Sequence, residues 1–349
     1  MNSFKKMFLV IVMLLSLAMT ACSETEDKQE SNSAVVNGNK IQIGMCFDSF
    51  VIERWTKDRD IFMSVAKELG AEVNFQSANG VLEEQIRQID YFIDKNVDVI
   101  VIICIESEGL RDVVARAKNA GIKVIAYDRL ITDADVDLYI TFDNSKVGEL
   151  MGENLVKNGI KDKKVLMLGG SPTDNNVSLV ETAFENVMAE NNNEIIDRFH
   201  ADGWKAELAA DYVLEHPEIV EEADAIMCGN DNIATAVVSE LSKMRLAGEK
   251  PVTGQDADLE ACQRIVEGTQ LMTVYKPVNK LAQKAAECAV ALAEGKSLDE
   301  FEISLMENGQ YNISYLGLEP VCVTKDNMDD VIINSGFHLK EDVYLNVPR

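Results

Sequence analysis

From Lys40 onward, short apolar runs alternate with segments of helical periodicity, and this alternation constrains the fold more than any other feature. Ten runs have the length and composition of buried strands: Ile41–Phe47, Ala71–Gln76, Val97–Cys104, Ile122–Tyr127, Leu138–Phe142, Lys164–Leu168, Ile195–His200, Ala225–Cys228, Val252–Gln255 and Met272–Tyr275. Buried strands separated by helices predict parallel sheets that are covered on both faces and connected by right-handed βαβ units.

The segments between these runs carry apolar residues that would share one face of a helix. Three such faces are Phe62, Val65, Ala66 and Leu69, then Leu82, Ile86, Ile89 and Ile93, and finally Ala234, Val237, Val238 and Leu241.

The chain is longer than most single domains, with 349 residues of which 47% are hydrophobic. The strands fall into two sets of about five, one before Asp143 and one after Lys146. We therefore predict an α/β fold with two similar open parallel-sheet lobes joined by hinge strands. The N-terminal lobe would comprise residues 40–143 plus about 277–313, and the C-terminal lobe residues 144–276 plus about 314–349. The predicted crossings are Asp143–Lys146, Lys276–Pro277 and a third between about Asn308 and Val323.

The formal net charge of −26 argues against a nucleic-acid partner, because binding phosphates needs clustered Lys and Arg. Neutral or cationic partners fit this charge better.

The N-terminal residues have the pattern of an export signal. Lys5 and Lys6 precede the apolar run Met7–Met19, which is too short to span a bilayer comfortably. The sequence Met19-Thr-Ala-Cys22 resembles a bacterial lipobox, although Met stands where Leu is usual. We expect residues 1–22 to be a lipoprotein signal peptide, with Cys22 lipidated and the protein held extracytoplasmically on the cell membrane. Residues 23–39 are polar, and this composition is typical of a flexible tether. An uncleaved anchor is the alternative.

Six further cysteines occur, and none forms a CxxC pair: Cys46, Cys104, Cys228, Cys262, Cys288 and Cys322. Most lie inside apolar strands or helices, where a free thiol behaves as a small hydrophobe. We predict that they are unpaired and buried.

Polar residues occur at the carboxyl ends of the strands, where ligands of open α/β sheets bind. The residue pairs at these strand ends are Phe47-Asp48, Asp128-Arg129, Asp143-Asn144, Asn230-Asp231, Gln255-Asp256 and Tyr275-Lys276. Carboxylates accept hydroxyl protons, and Arg, Lys and amide nitrogens donate to hydroxyl oxygens, so the set suits a polyol. The only two tryptophans, Trp55 and Trp204, also follow strand ends, and a flat ring suits the apolar face of a pyranose.

Each of these residues also has a structural interpretation. Asp128 and Arg129 could form a surface ion pair, Asp231 or Asp258 could cap the helix that follows, and the tryptophans could pack in the core. The shared position of about eight polar groups, drawn from both predicted lobes, favours a binding cleft.

Six motifs together resemble the ribose- and galactose-type periplasmic sugar-binding proteins that serve ABC importers. They are Ile52–Phe62, Gln76–Gly80, Ala126–Leu130, Gly169–Asn176, Gly254–Leu259 and Met272–Pro277, and the resemblance extends from about Lys40 to His338. It implies the type I periplasmic-binding-protein fold and a monosaccharide ligand, D-xylose or a related pentose or hexose. The implied hydrogen-bonding residues are Arg54, Asp128, Arg129, Asn175, Asn230, Asp256 and Lys276, with Trp204 and either Phe47 or Trp55 against the faces of the sugar.

The sequence departs from the family pattern around two strand ends, at Cys46 and Ser49 and at Cys228-Gly229. These departures leave open whether one sugar is bound exclusively.

The resemblance further implies a monomer that needs no metal or cofactor. An ABC permease would recognise its closed, sugar-bound form. A membrane histidine kinase or chemoreceptor could recognise the same closed form, and the sequence does not distinguish transport from sensing. We expect no enzyme activity, since GxSxG, HExxH, P-loop and CxxC patterns are missing from the sequence. Repressors of the lac type share the two-lobe architecture, but in this sequence the predicted signal and tether stand where their DNA-reading helices would be.

Overall fold

The computed structural model describes residues 40–347, so the predicted signal peptide, Cys22 and the tether lie outside the described residues. Ten of the strands match the ten predicted runs to within a few residues, and the predicted two-lobed α/β fold is confirmed.

The first lobe is built on a seven-stranded sheet with the order β11-β12-β5-β4-β3-β1-β2. Its strands are β1 Gln42–Phe47, β2 Glu72–Ser77, β3 Val99–Ile102, β4 Lys123–Tyr127, β5 Leu138–Phe142, β11 Ser304–Asn308 and β12 Tyr311–Leu318. All neighbouring strands pair in parallel except β11, which is antiparallel to β12. The central strands β3 and β5 are buried along their whole length, as expected for a sheet with helices on both faces.

The second lobe is built on a six-stranded sheet with the order β13-β10-β9-β8-β6-β7. Its strands are β6 Lys164–Gly169, β7 Glu194–His200, β8 Ala225–Cys228, β9 Val252–Gln255, β10 Met272–Tyr275 and β13 Val321–Val323. Only β13 is antiparallel to its neighbour.

Helices cover both sheets. They are α1 Arg54–Glu68, α2 Leu82–Asp94, α3 Arg111–Asn119, α4 Asn144–Lys157, α5 Asn175–Glu190, α6 Ala206–Glu215, α7 Pro217–Glu222, α8 Asp231–Lys243, α9 Leu259–Glu267, α10 Val278–Ala293 and α11 Lys340–Val343. The predicted faces are the buried ones, with Phe62 and Ala66 in α1 and Ala234 and Leu241 in α8 fully enclosed. Leu69 is an exception, because α1 ends before it and it is 45% exposed.

The chain passes between the sheets three times. It leaves the first sheet after β5 and returns to the first lobe after β10, where α10 packs against α1. The third crossing lies between β12 and β13, at Glu319–Pro320. The sequence placed the last boundary at about residue 313, but β12 pairs with β5 as far as Leu318. The strands β11 to β13 were not among the predicted runs, because partly exposed strands lack a continuous apolar stretch.

All six cysteines between residues 40 and 347 are free thiols, as predicted. Five are buried, whereas Cys322 is only partly buried, because it lies on the edge strand β13. None of the helices within residues 40–347 combines the length and apolar character that a bilayer span requires.

Candidate ligand-binding site

A cavity lies between the two lobes at the carboxyl ends of the strands, the position expected for ligands of open α/β sheets. The first lobe contributes Ile52, Arg54, Trp55, Asp128 and Arg129, and the second lobe and its connections contribute Asp174, Asn176, Trp204, Gln255, Asp256 and Lys276.

Arg54, at the start of α1, is held in place by two carboxylates of its own lobe. Its Nε lies 3.3 Å from Oδ2 of Asp58 and its Nη2 lies 2.8 Å from Oδ2 of Asp128. The hydroxyl of Tyr127 donates a hydrogen bond to Asp58, which fixes that carboxylate in turn. Burial alone would lower the pKa of Arg54, but the carboxylates of Asp128, Asp58 and Asp256 raise the pKa well above its ordinary value. The guanidinium therefore stays charged at the cavity wall, with its carbon 4.4 Å from the centre of the Trp55 ring.

Asp128 follows β4 in a left-handed backbone conformation, with φ of 63°. Its carbonyl oxygen accepts hydrogen bonds from the Thr141 hydroxyl at 2.7 Å and from Nδ2 of Asn176 at 3.0 Å. These bonds support a conformation that residues other than glycine rarely adopt. Burial raises the pKa of the Asp128 carboxyl, but the charges of Arg54, Lys276 and Arg129 outweigh it and bring the pKa below its ordinary value. The side chain is thus an ionised acceptor.

Arg129 lies between carboxylates of both lobes. Its Nη1 is 2.8 Å from Oδ2 of Asp48 in the first lobe, and its Nε is 2.8 Å from Oδ2 of Asp174 in the second. Burial raises the pKa of both carboxyls, and the charge of Arg129 opposes that rise. The interpretation of Asp128 and Arg129 as a surface ion pair is wrong, because both are almost fully buried and each pairs with other residues.

The wall on the second lobe is formed by Trp204 and the residues that end β9 and β10. Trp204 donates a hydrogen bond from Nε1 to Oδ2 of Asp174 at 3.2 Å. Oδ1 of Asp256 lies 3.3 Å from Nζ of Lys276 and 3.8 Å from Nη1 of Arg54, which belongs to the opposite lobe.

Five buried polar atoms at or near the strand ends have no hydrogen-bond partner among residues 40–347: Trp55 Nε1, Arg129 Nη2, Asn230 Nδ2, Gln255 Oε1 and Asp256 Oδ1. All of them except the Asn230 atom belong to residues that line the cavity. Buried polar atoms without partners are rare in proteins because burying them unpaired costs free energy. The first three are donors and the last two are acceptors, so the cavity is matched to a ligand that both accepts and donates hydrogen bonds.

Seven of the ten residues predicted for the site line the cavity: Arg54, Trp55, Asp128, Arg129, Trp204, Asp256 and Lys276. Phe47 does not, since it is buried in the core, where it stacks on Phe50 at 4.9 Å. Asn230 caps α8 by accepting a hydrogen bond from the Ile233 N–H at 2.9 Å, which leaves its Nδ2 free. The capping role that the sequence suggested for Asp231 or Asp258 therefore belongs to Asn230 in the case of α8, and Asp258 makes no side-chain cap to α9.

Asn175 is likewise not a lining residue. Its backbone N–H donates to the hydroxyl of Ser107 in the opposite lobe at 3.0 Å, and the next residue, Asn176, faces the cavity instead.

Three lining residues were not singled out from the sequence: Ile52, Asp174 and Asn176. Asp174 and Asn176 flank Asn175, where α5 begins, and the start of that helix decides which of these side chains face the cavity. Gln255 was named in the strand-end set, at the end of β9 directly before Asp256, but it was not among the implied hydrogen-bonding residues.

The lobes also touch directly beside the cavity. The Ser107 N–H donates to the Thr173 carbonyl at 3.1 Å, and Nδ2 of Asn232 donates to the Val51 carbonyl at 3.3 Å. Together with the pair of Arg129 and Asp174, these contacts hold the two lobes closed over the cavity. Within residues 40–347, no cluster of His, Cys, Asp and Glu side chains could hold a metal ion.

Two open parallel-sheet lobes, linked by three crossings and closed over a polar cavity at their strand ends, define a bilobed solute-binding protein. The chain belongs to the family of the periplasmic binding protein domain, whose sequence profile matches residues 43–297. The D-xylose-binding periplasmic protein of Haemophilus influenzae is 41% identical over 319 residues, covering 89% of this chain and 95% of its own length. The D-xylose-binding periplasmic protein of Escherichia coli is 40% identical over 317 residues, covering 89% and 95%. An ABC transporter solute-binding protein from Clostridium phytofermentans with bound β-D-glucose superposes with a TM-score of 0.78 at 26% identity, covering 86% of this chain and 99% of its own.

Proposed function

We propose that this chain is an extracytoplasmic, lipid-anchored binding protein for a monosaccharide, most specifically D-xylose, and that it delivers the sugar to an ABC importer by closure of its lobes. The observation that carries the proposal is the set of five buried polar atoms around the cavity that lack partners within residues 40–347. A pyranose presents several hydroxyls on a small ring, and each hydroxyl can donate one hydrogen bond and accept others.

The charged residues of the wall favour a neutral polyol over an ion. Arg54 is paired with Asp58 and Asp128, and Asp256 is paired with Lys276 and Arg54, so a charged ligand would compete with buried ion pairs that already exist. Hydroxyls can join the same network as both donors and acceptors without adding charge. The rings of Trp55 and Trp204 add flat apolar surface, which suits the C–H face of a sugar.

The names of the relatives support the choice of sugar. Two relatives that are 40–41% identical to this chain are named as D-xylose-binding proteins, whereas the structural neighbour at 26% identity contains bound β-D-glucose. D-Xylose is therefore the first candidate and D-glucose the second.

Delivery by closure follows from residues that come from both lobes. A ligand shifts an equilibrium between open and closed forms only by its difference in affinity for them. A sugar that contacts Asp128 on one wall and Asp256 on the other makes its full set of contacts only after closure, and hinged lobes can move with little disruption of their cores. The closed form would then be the signal for the importer.

Titration calorimetry tests the sugar assignment. We expect D-xylose to bind with roughly micromolar affinity, about −8 kcal/mol. Asp256→Asn should weaken binding, while the control Asp60→Asn, which alters an exposed carboxylate of α1, should not. If correctly folded protein gives no heat with any pentose or hexose, the sugar proposal is wrong.

Metabolic labelling with a radioactive fatty acid tests the lipid anchor. We expect label on the wild-type protein and on a Cys46→Ala control, whose thiol is buried in the fold, and none on Cys22→Ala. Label that remained on Cys22→Ala would contradict the assignment.

Sugar uptake by cells that lack the chain separates delivery from sensing. Delivery predicts that uptake of labelled D-xylose falls. Normal uptake with a lost transcriptional or chemotactic response would favour the sensor role.

A further inference from the structure

Gly170 lies directly against the indole ring of Trp204. A Cβ atom built on Gly170 would lie 2.3 Å from Cη2, 2.4 Å from Cζ3 and 2.6 Å from Cζ2 of that ring. Side-chain carbons in a packed interior do not approach so closely, so any side chain at this position would displace the ring.

The other parts of Trp204 are fixed. Its backbone has φ of 60°, in the left-handed region, and follows Gly203, which has the same φ. Its Nε1 is bonded to Asp174, and its N–H donates to the Ala201 carbonyl at 2.9 Å. Hydrogen bonds therefore fix the backbone of Trp204 and the nitrogen edge of its indole, and the benzo edge packs against Gly170.

Trp204 also borders a second, smaller space, whose lining includes Gly170 and Glu181 and shares Trp204, Asn176 and Gln255 with the proposed sugar cavity. Gly170 does not line the sugar cavity itself. It therefore acts on that cavity only through the position of the indole.

We infer that Gly170 is a specificity-determining residue of this binding site: because it lacks a side chain, the Trp204 ring can lie back against the end of β6, and this sets the size of the monosaccharide that fits. The inference rests on the proposed function. Gly170→Ala would push the ring away from β6 and into the sugar cavity. A hexopyranose carries a CH₂OH group that a pentopyranose lacks, so it needs more room and loses more when the cavity shrinks.

The test compares D-xylose and D-glucose binding by calorimetry in wild-type protein and Gly170→Ala. We expect glucose affinity to fall about tenfold or more, and xylose affinity to fall less. The matched control is Gly152→Ala in α4 of the same lobe, where a Cβ would lie 2.8 Å from Cβ of Val187. This crowding is remote from the cavity, so it should lower the melting temperature and leave the ratio of the two affinities unchanged.

A smaller aromatic ring at position 204 provides a second test of the inference. Trp204→Phe should enlarge the cavity and shift the affinity ratio toward glucose, and in that background the further change Gly170→Ala should have little effect on the ratio. This test also holds if Gly170→Ala alone fails to fold. An unchanged ratio in Trp204→Phe, or in folded Gly170→Ala, would overturn the inference while leaving the sugar proposal intact. If wild-type protein binds neither sugar, both are overturned.

Discussion

The two walls of the cavity hold their polar groups in different ways. On the first lobe, Arg54 is fixed by Asp58 and Asp128, and Arg129 is fixed by Asp48, with donor–acceptor distances between 2.8 and 3.3 Å. On the second lobe, the acceptors Gln255 Oε1 and Asp256 Oδ1 have no hydrogen-bond partner within residues 40–347, and neither does Nδ2 of Asn230 at the end of β8. The partnerless atoms of the first lobe, Trp55 Nε1 and Arg129 Nη2, are both donors.

This difference separates two tasks. The first lobe carries a preorganised charge network, whose residues help to maintain the fold as well as the site. The second lobe supplies acceptors with unused hydrogen-bonding capacity, because Gln255 Oε1 has no partner within residues 40–347 and Asp256 Oδ1 is paired with Lys276 and Arg54 only by charge, at 3.3 and 3.8 Å. Substitutions in the first wall should therefore lower both stability and affinity, whereas those in the second wall should act mainly on affinity.

The largest expected effect is on stability, for Asp58→Asn in the first lobe. Asp58 is fully buried and holds Arg54, so its neutralisation leaves a buried guanidinium with one carboxylate fewer. Removing one partner of a buried pair costs about 3–5 kcal/mol, and chemical denaturation would measure this loss. The control Asp60→Asn breaks an exposed pair with Arg59 on the same helix and should cost less than about 1 kcal/mol. Equal losses would refute the view that the first wall is structural.

The next effect concerns Arg129→Met, which should weaken sugar binding by about 2–4 kcal/mol. The substitution removes a donor from the cavity and leaves Asp48 and Asp174 buried without their shared cation, so stability should fall as well. Calorimetry and thermal unfolding on the same samples would measure both quantities. Arg116→Met, which removes an exposed pair with Asp90 in the same lobe, should change neither by much. Unchanged affinity in Arg129→Met would remove Arg129 from the site.

The fold could be predicted from the sequence largely because buried parallel strands leave a strong local signal. Runs such as Val97–Cys104 are apolar without interruption from Val99 onward, so the strand β3 was found and only its ends differ. The strand β12 has only two buried residues, Ile313 and Leu316, and carries Gly317, and its place in the first sheet depends on pairing with the distant β5. The local sequence pattern does not predict such long-range strand pairing.

The candidate site was predictable where a side chain directly follows a strand, as with Asp128 and Asp256. The site was not predictable where α5 begins after β6, because Asp174 and Asn176 face the cavity and Asn175 does not. A shift of one residue in the start of the helix would change which of these side chains face the cavity. The partners Asp48 and Asp58 were also missed as supports, since pairing over 81 and 4 positions gives no pattern that marks a binding site.

A smaller effect, of about 1–3 kcal/mol on affinity, is expected for Asn230→Ser at the end of β8 in the second lobe. Serine still caps α8, so ligand-free stability should be nearly unchanged, but the free amide donor is lost. Asn230→Ala removes the cap as well and should additionally lower stability by about 1 kcal/mol. If Asn230→Ser lowers the melting temperature as much as Asn230→Ala while affinity is kept, Asn230 is a capping residue only.

The smallest effect tests whether the contact between the walls belongs to the closed form alone. The Ser107 hydroxyl of the first lobe accepts a hydrogen bond from the Asn175 N–H of the second, and Ser107→Ala removes this one neutral bond. In an open form water would satisfy both groups, so ligand-free stability should stay the same. Closure would lose one bond, and sugar affinity should fall by about 0.5–1.5 kcal/mol. The control Ser178→Ala removes a hydroxyl that bonds only to the Asn175 carbonyl within α5 and should leave affinity unchanged. A lower melting temperature without sugar, combined with unchanged affinity, would mean that the lobes are already held together before a ligand arrives.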